Sequence, residues 1–261
     1  MLILSDTDYN KAINVIERNF KTVPTFVYSI INNYINGIIY VDSKNVETVL
    51  IGTESGIYFI AGEEENHKFN DFLFDLYCKR KSKGLRFTLF SASENWDCVI
   101  NALFDDNLKQ GGRYSFTYDP QKQFQDESPL VSEYSISRIN EELITSSSEY
   151  NEDYYKDYWG SVSNFIEKGF GYCILHKGKV VSECTSIFSS HQFSEVDIET
   201  HADYRGKGLA SINAKAFINH CLENNIMPRW DCEILNNASI KLAEKLGFGK
   251  PIKYSIFIKN S

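Results

Sequence analysis

Proline is scarce in this chain, with five in 261 residues, which leaves little room for Pro-rich linkers and favours compact structure. The six cysteines (Cys78, Cys98, Cys173, Cys184, Cys221, Cys232) show no C-x-x-C spacing and no accompanying histidine cluster. That argues against a zinc site. A chain long enough to bury a full core needs no disulfide staples, so reduced, buried thiols are expected. No apolar run approaches the roughly 20 residues of a membrane span. The opening Met1–Asp6 segment has no basic region and soon turns polar, unlike a secretory leader. Positive charge is in deficit as well. Lys and Arg number 27 against 35 Asp and Glu, a net charge of −8, and both halves are acidic. Duplex nucleic acid and anionic membranes are therefore poor partners. A soluble, cytoplasmic protein is expected; its acidity suits a small cationic substrate, or serves solubility alone.

What the chain has is aromatic mass, 18 Phe, 16 Tyr and 3 Trp, within an ordinary globular composition of 43% hydrophobic and 24% charged residues. Hydrophobic spacing predicts helices near the start and after Pro24, then strands at Gly37–Val41, Glu47–Ile51 and Ile57–Ala61. A helix over 66–81, a strand over 85–90, a helix over 95–109 and a strand over 113–118 follow. Residues 119–135, with Pro120 and Pro129, read as a linker between domains 1–125 and 131–261. The second half repeats the order: helices over 137–147 and 151–168, strands at Gly171–His176, Lys179–Ser189 and Phe193–Thr200, a helix over 206–224, a strand over 229–234, a helix over 238–246 and a closing strand. A duplicated α/β unit of roughly 130 residues is the simplest account.

Chemistry is concentrated in Val196-Asp197-Ile198-Glu199-Thr200-His201-Ala202-Asp203-Tyr204-Arg205-Gly206-Lys207-Gly208-Leu209-Ala210. An alternating strand turns into a glycine-rich helix start. Backbone N–H groups there lack helical partners, and the helix dipole adds positive charge, so an anion is favoured. Gly206 and Gly208 let a phosphate approach the backbone, and Arg205 and Lys207 add charge. The Walker pattern fails because Gly208 follows Lys207. The dinucleotide fingerprint fails because Ser211 stands where its third glycine belongs. A plain glycine-rich cap is the competing reading of these six residues.

Further on stands Asn236-Asn237-Ala238-Ser239-Ile240-Lys241-Leu242-Ala243-Glu244-Lys245-Leu246-Gly247-Phe248. With Arg205-x-x-Gly208-x-Ala210, this resembles the GNAT N-acetyltransferase superfamily, whose loop reads R/Q-x-x-G-x-G/A and whose later helix reads N-x-x-(A/S)-x-x-L-(Y)-x-x-x-G-F. Tyr158-Trp159-Gly160-Ser161, Gly169-Phe170-Gly171-Tyr172 and Trp230-Asp231-Cys232 resemble a bacterial two-part GNAT family, with zwittermicin-resistance-like acetyltransferases as looser relatives. The likeness covers residues 131–261; the first half matches by element order. It implies an α/β, mixed-sheet GNAT fold in the C-terminal half and a degenerate GNAT-like α/β unit in the N-terminal half.

The resemblance also implies acetyl-coenzyme A as co-substrate and a small-molecule amine as acceptor. Gly206, Lys207, Gly208, Leu209 and Ala210, with Arg205, would hold the pyrophosphate. The backbone of Ile198 and Thr200 would pair with the pantetheine arm, one N–H polarising the thioester carbonyl. Asn236 and Ser239 would meet the pantetheine. No metal is implied. Ala243 stands where relatives place a proton-donating Tyr, and Tyr172 or Tyr254 are substitutes, or core aromatics. Val196 and Ser194 occupy the usual base positions and cannot serve. Glu195, Asp197 and Glu199 share the other face, and Glu199 is the candidate base, against a merely solvated face. Glu183, Cys184 and His191 read by default as strand, buried thiol and loop. Tyr154, Tyr155, Tyr158 and Trp159, beside Glu152, Asp153 and Asp157, would grip a cation or bury a helix face. In the first half, Glu63-Glu64-Glu65 stands at the phosphate-loop position and would repel a pyrophosphate. That half is left to shape the acceptor site, form a homodimer contact or support its neighbour. A longer acyl or aminoacyl donor, or a non-enzymatic coenzyme A sensor, are the rival readings.

Overall fold

The computed structural model describes residues 1–18, 22–122 and 130–259. Part of the expected linker, 123–129 with Pro129, lies outside them. In chain order the first half forms β1 (Leu2–Ile3), α1 (Asn10–Ile16), α2 (Thr25–Ile31), β2 (Gly37–Val41), β3 (Thr48–Thr53), β4 (Ile57–Gly62), α3 (His67–Ser82), β5 (Thr88–Ser91), α4 (Glu94–Phe104) and β6 (Leu108–Tyr118). The second forms β7 (Tyr134–Arg138), α5 (Glu141–Ser146), α6 (Glu152–Trp159), α7 (Val162–Lys168), β8 (Gly171–His176), β9 (Lys179–Ser189), β10 (Phe193–Thr200), α8 (Leu209–Glu223), β11 (Met227–Glu233), α9 (Asn237–Lys245) and β12 (Phe248–Lys259). The repeated order is present apart from one additional helix in the second half, with a leading strand in each. Among the described residues no helix is long and apolar enough to cross a membrane.

Two compact units result, Met1–Tyr114 with Ile252–Ser261, and Ser115–Pro251. The expected domains instead kept 252–261 with the second half. The reason is pairing: Ile256–Ile258 of β12 lie antiparallel to Thr88–Phe90 of β5.

In the first unit β2, β3 and β4 form an antiparallel meander, and β4 continues parallel to β5. Residues of β3 and β4 are buried almost throughout, because helices cover both faces. Leu50, Tyr58 and Ile60 pack with Phe69, Leu73 and Tyr77 of α3 and with Trp96, Ile100 and Phe104 of α4. Helices α1 and α2 pack on β3 and β4.

The second unit runs β7-β8-β9-β10 antiparallel, then β11 parallel to β10. Helix α8 packs on β8, β9 and β10, while α5 and α6 pack on β9. The expected single helix over 151–168 is two. Left-handed Gly160 ends α6, and the Ser161 side chain accepts from Asn164 N–H to start α7. The cysteines form no disulfide; four are buried, but Cys78 and Cys98 are exposed on α3 and α4.

Candidate active site

Strand β10 pairs with β9 from Ser194 to Thr200, yet with β11 only at Phe193–Glu195 against Met227–Arg229. Beyond Glu195 the edge of β10 that faces β11 has no ladder partner among the described residues. The β9–β10 ladder shifts register between Glu195 and Val196, where the parting begins. Alternate residues of a strand turn their backbone groups to opposite edges. His201 N–H goes to Val181 of β9, so the backbone of Val196 and Ile198 and the Thr200 amide face the parted edge, where an extended ligand could lie alongside as a strand would. The corresponding strands of the first unit do not part. Ile57–Ile60 of β4 stay paired with Thr88–Ser91 of β5, and Ala92 N–H adds a bond to the Ile60 carbonyl at 3.1 Å.

The free edge leads into the glycine loop. Gly206 and Gly208 have φ of 77° and 78°, a region costly for side chains, and a Cβ at either would meet nothing within 4 Å. Gly208 is the cap residue of α8 and brings no side-chain acceptor, so no capping side chain competes for the first-turn amides at Leu209 and Ala210. Open space above bare amides at a helix start fits a phosphate. The Leu209 side chain is buried with Tyr134, Ile174 and Val181, which fixes where the helix begins.

Both expected loop cations are engaged. Arg205 donates Nε to the Thr200 carbonyl at 3.0 Å and Nη2 to Glu199 Oε1 at 2.6 Å. It staples the loop to the strand it follows. Lys207 Nζ lies 3.4 Å from the Tyr134 hydroxyl and 4.8 Å from the centroid of the Tyr204 ring. Asn236 caps α9, its Oδ1 accepting from Ser239 N–H at 3.0 Å. Ser239 Oγ accepts from Trp230 Nε1 at 2.9 Å. Ala243, in the expected tyrosine slot, is fully buried. Tyr172 meets His220 Nδ1 at 3.1 Å. Tyr254 accepts from Arg113 Nε at 3.1 Å and stacks on Phe90, within the first unit.

On the acidic face of β10, Glu199 is partly exposed, whereas Asp197 is tied to two phenols. Asp197 accepts from the Tyr150 hydroxyl on Oδ1 at 3.0 Å and from the Tyr154 hydroxyl on Oδ2 at 2.9 Å. Burial first, and the Asp197 charge second, push both phenols well above the ordinary tyrosine range, so they remain donors. Glu199 pairs across the ladder with Glu183, and Asp197 with Thr185. Glu183 is buried and accepts from Ser147 Oγ at 2.7 Å. Burial pushes its carboxyl up to about 7, partly offset by the Ser147 hydroxyl and by the Tyr150 amide. Tyr155 and Trp159, read as gripping a cation or burying a helix face, do the second, bonded to Thr185 Oγ1 at 3.1 Å and the Ser186 carbonyl at 2.9 Å. Glu152 and Asp153 pair with Lys156 in solvent. Tyr154 stands in a row, its ring 4.6 Å from that of Tyr150 and 4.8 Å from that of Tyr158.

Ser147 and Tyr150 are the members of this face that the motif reading overlooked. Both precede the Asn151 cap of α6, in a segment without helical or strand periodicity, so no local pattern signals either.

The model of the GNAT acetyltransferase family matches residues 17–257. An uncharacterised N-acetyltransferase of Bacillus subtilis, YdfB, is 48% identical over 238 residues, 91% of each chain. A GCN5-related N-acetyltransferase-like protein from Streptococcus suis superposes with a TM-score of 0.73 at 25% identity, covering 97% of this chain and 99% of its own. A tandem GNAT protein from the clavulanic acid biosynthesis pathway shares the fold, with a TM-score of 0.64 at 11% identity over 98% of this chain and 97% of that one. The parted strands, the bare helix start and the Asn236 helix thus sit in a chain that belongs to the GNAT acetyltransferase family, the GNAT-type N-acetyltransferases.

Proposed function

We propose that this chain transfers the acetyl group of acetyl-coenzyme A to the amine of a small molecule. The observation that carries the reading is the parted edge of β10, followed through the loop 201–208 by a helix start without a capping side chain. Pantetheine is a chain of amides and pairs with such an edge; a pyrophosphate suits the amides that follow. On this reading Gly206–Ala210 hold the pyrophosphate, Arg205 braces the loop, and the backbone of Ile198 and Thr200 carries the arm. An amide of this stretch polarises the thioester carbonyl as charge develops on its oxygen. The amine then attacks directly, with no acyl-enzyme. Asp197 and Glu183, on the neighbouring face, favour a cationic acceptor. The buried Ala243 leaves no tyrosine on α9 for the departing thiolate, which therefore takes its proton by another route. The same residue favours the second reading, a coenzyme A-binding sensor without turnover.

The test is calorimetric titration of acetyl-coenzyme A into the wild type and into Ala210→Glu. A carboxylate in the first turn of α8 suits the helix dipole and preserves the fold, but opposes a pyrophosphate. Saturable binding lost in the variant supports the reading, and thiol release with amines then separates enzyme from sensor. No binding by the folded wild type refutes it.

A further inference from the structure

Glu183, Asp197 and Glu199 lie on the face of β9 and β10 that meets residues 147–159, and their partners differ in kind. Asp197 has a phenol donor on each oxygen. Glu199 is engaged with the guanidinium that braces the loop. Glu183 is buried, and its side-chain partner is a neutral hydroxyl, Ser147 Oγ, on Oε2. It is also one residue along from the Cys184–Ile198 pair, and Ile198 is where the thioester is proposed to lie. Two strand spacings separate β9 from a ligand on the far edge of β10, roughly 10 Å. A glutamate side chain, one water and the amine itself span that gap.

We infer that Glu183, rather than Glu199, accepts the proton of the attacking amine, through one water. The inference rests on the acetyltransfer reading above. An ammonium substrate gives one proton to the Glu183 carboxylate, and the freed lone pair forms the C–N bond at the thioester carbon. The C–S bond breaks with its electron pair on sulfur. The second nitrogen proton goes to the thiolate, and Glu183 returns the first to solvent, so amide, thiol and one proton leave. A base with a proton affinity near neutrality suits this task, and burial supplies it here. The groups facing Glu183 are Cys173 on β8, Glu149 and Tyr150 in the 147–150 segment, Tyr155 on α6, and Asp197 and Glu199 on β10. Burial pushes Cys173 up to about 12 and raises both tyrosines, so these three stay neutral as Glu183 titrates.

The experiment measures thiol release from acetyl-coenzyme A, with 1,4-diaminobutane as probe amine and with water alone, across neutral pH. Calorimetry of acetyl-coenzyme A runs in parallel. The wild type is expected to lose activity as pH falls through about 7. Glu183→Gln keeps an acceptor for Ser147, so it should fold, bind acetyl-coenzyme A within about threefold of wild type, and lose roughly 100-fold or more in kcat together with the acid limb. Ser147→Ala keeps the carboxylate but removes a donor that favours its charged form, so its limb moves to higher pH. A folded Glu183→Gln that retains the limb and turns over within about threefold overturns the assignment alone. A wild type that binds acetyl-coenzyme A yet releases thiol with neither probe overturns it in favour of a binding protein. No binding by the wild type removes the acetyltransfer reading and the assignment together.

Discussion

The Arg205 guanidinium reaches back to Glu199, Nη2 to Oε1 at 2.6 Å, while its Nε holds the Thr200 carbonyl at 3.0 Å. A residue of the loop thereby grips the strand that precedes it. With side chains 64% and 38% exposed, such a pair contributes no more than about 1 kcal/mol. Glu199→Gln and Arg205→Ala should therefore each weaken acetyl-coenzyme A binding by less than about tenfold and leave kcat within the same range. The check is calorimetry beside steady-state kinetics. A kcat loss of 100-fold in Glu199→Gln would return the base role to that residue.

Asp197→Asn replaces the acceptor of two buried phenols with one that offers a single oxygen. The hydroxyl left over loses its partner in a dry site, which should cost about 1–3 kcal/mol. A thermal melt should show a fall of several degrees. Tyr154→Phe, which removes one donor without stranding another, should fall less.

Stability should depend on pH with a definite sign. Glu183 has a folded pKa raised from 4.5 to about 7, so between these values the folded state binds more protons than the unfolded. Its contribution is complete below 4.5 and is lost as pH rises through about 7. Glu183→Gln should flatten that slope in urea unfolding at pH 5 and 8, with a difference of at most about 3 kcal/mol. A second loss should begin above pH 10, where Tyr150, Tyr154 and Tyr155, held neutral when folded, ionise in the unfolded chain.

Two left-handed glycines, one in each half, should respond differently to alanine. Gly62, at the end of β4 with φ of 103°, would drive its Cβ into the Glu47 carbonyl. Gly206 meets only the left-handed penalty, since nothing lies within 4 Å. Gly206→Ala should cost about 1 kcal/mol and Gly62→Ala distinctly more, as chemical denaturation would reveal.

What could be read from the sequence was what depends on near neighbours. Gly206 and Gly208 announce a left-handed turn, and the strand Phe193–Thr200 alternates plainly, so loop and edge were legible. The Glu183–Ser147 contact was not. It depends on a ladder register that shifts within β9–β10 and on a loop arriving from 36 residues away, and no local pattern encodes either. Strand β7 was hidden because Tyr134–Arg138 abuts the Asn140 cap of α5 and reads as its beginning. Strand β6 runs through Gly111 and Gly112, which look like a break; a Cβ at Gly111 would come 3.3 Å from Ile256. Local glycine signals could not reveal that partner strand, which comes from the far end of the chain.

Strand β12 has a consequence for synthesis. Its Ile256–Ile258 segment covers the edge of β5, and Ser255 Oγ donates to Asp97 of α4 at 2.5 Å. A ribosome makes β5 and α4 well before β12. Throughout translation of residues 115–251 the nascent amino-terminal unit lacks one strand and presents an unpaired edge of the kind that invites misassembly. Of the two units, the one begun earlier is thus completed only after the other has been made.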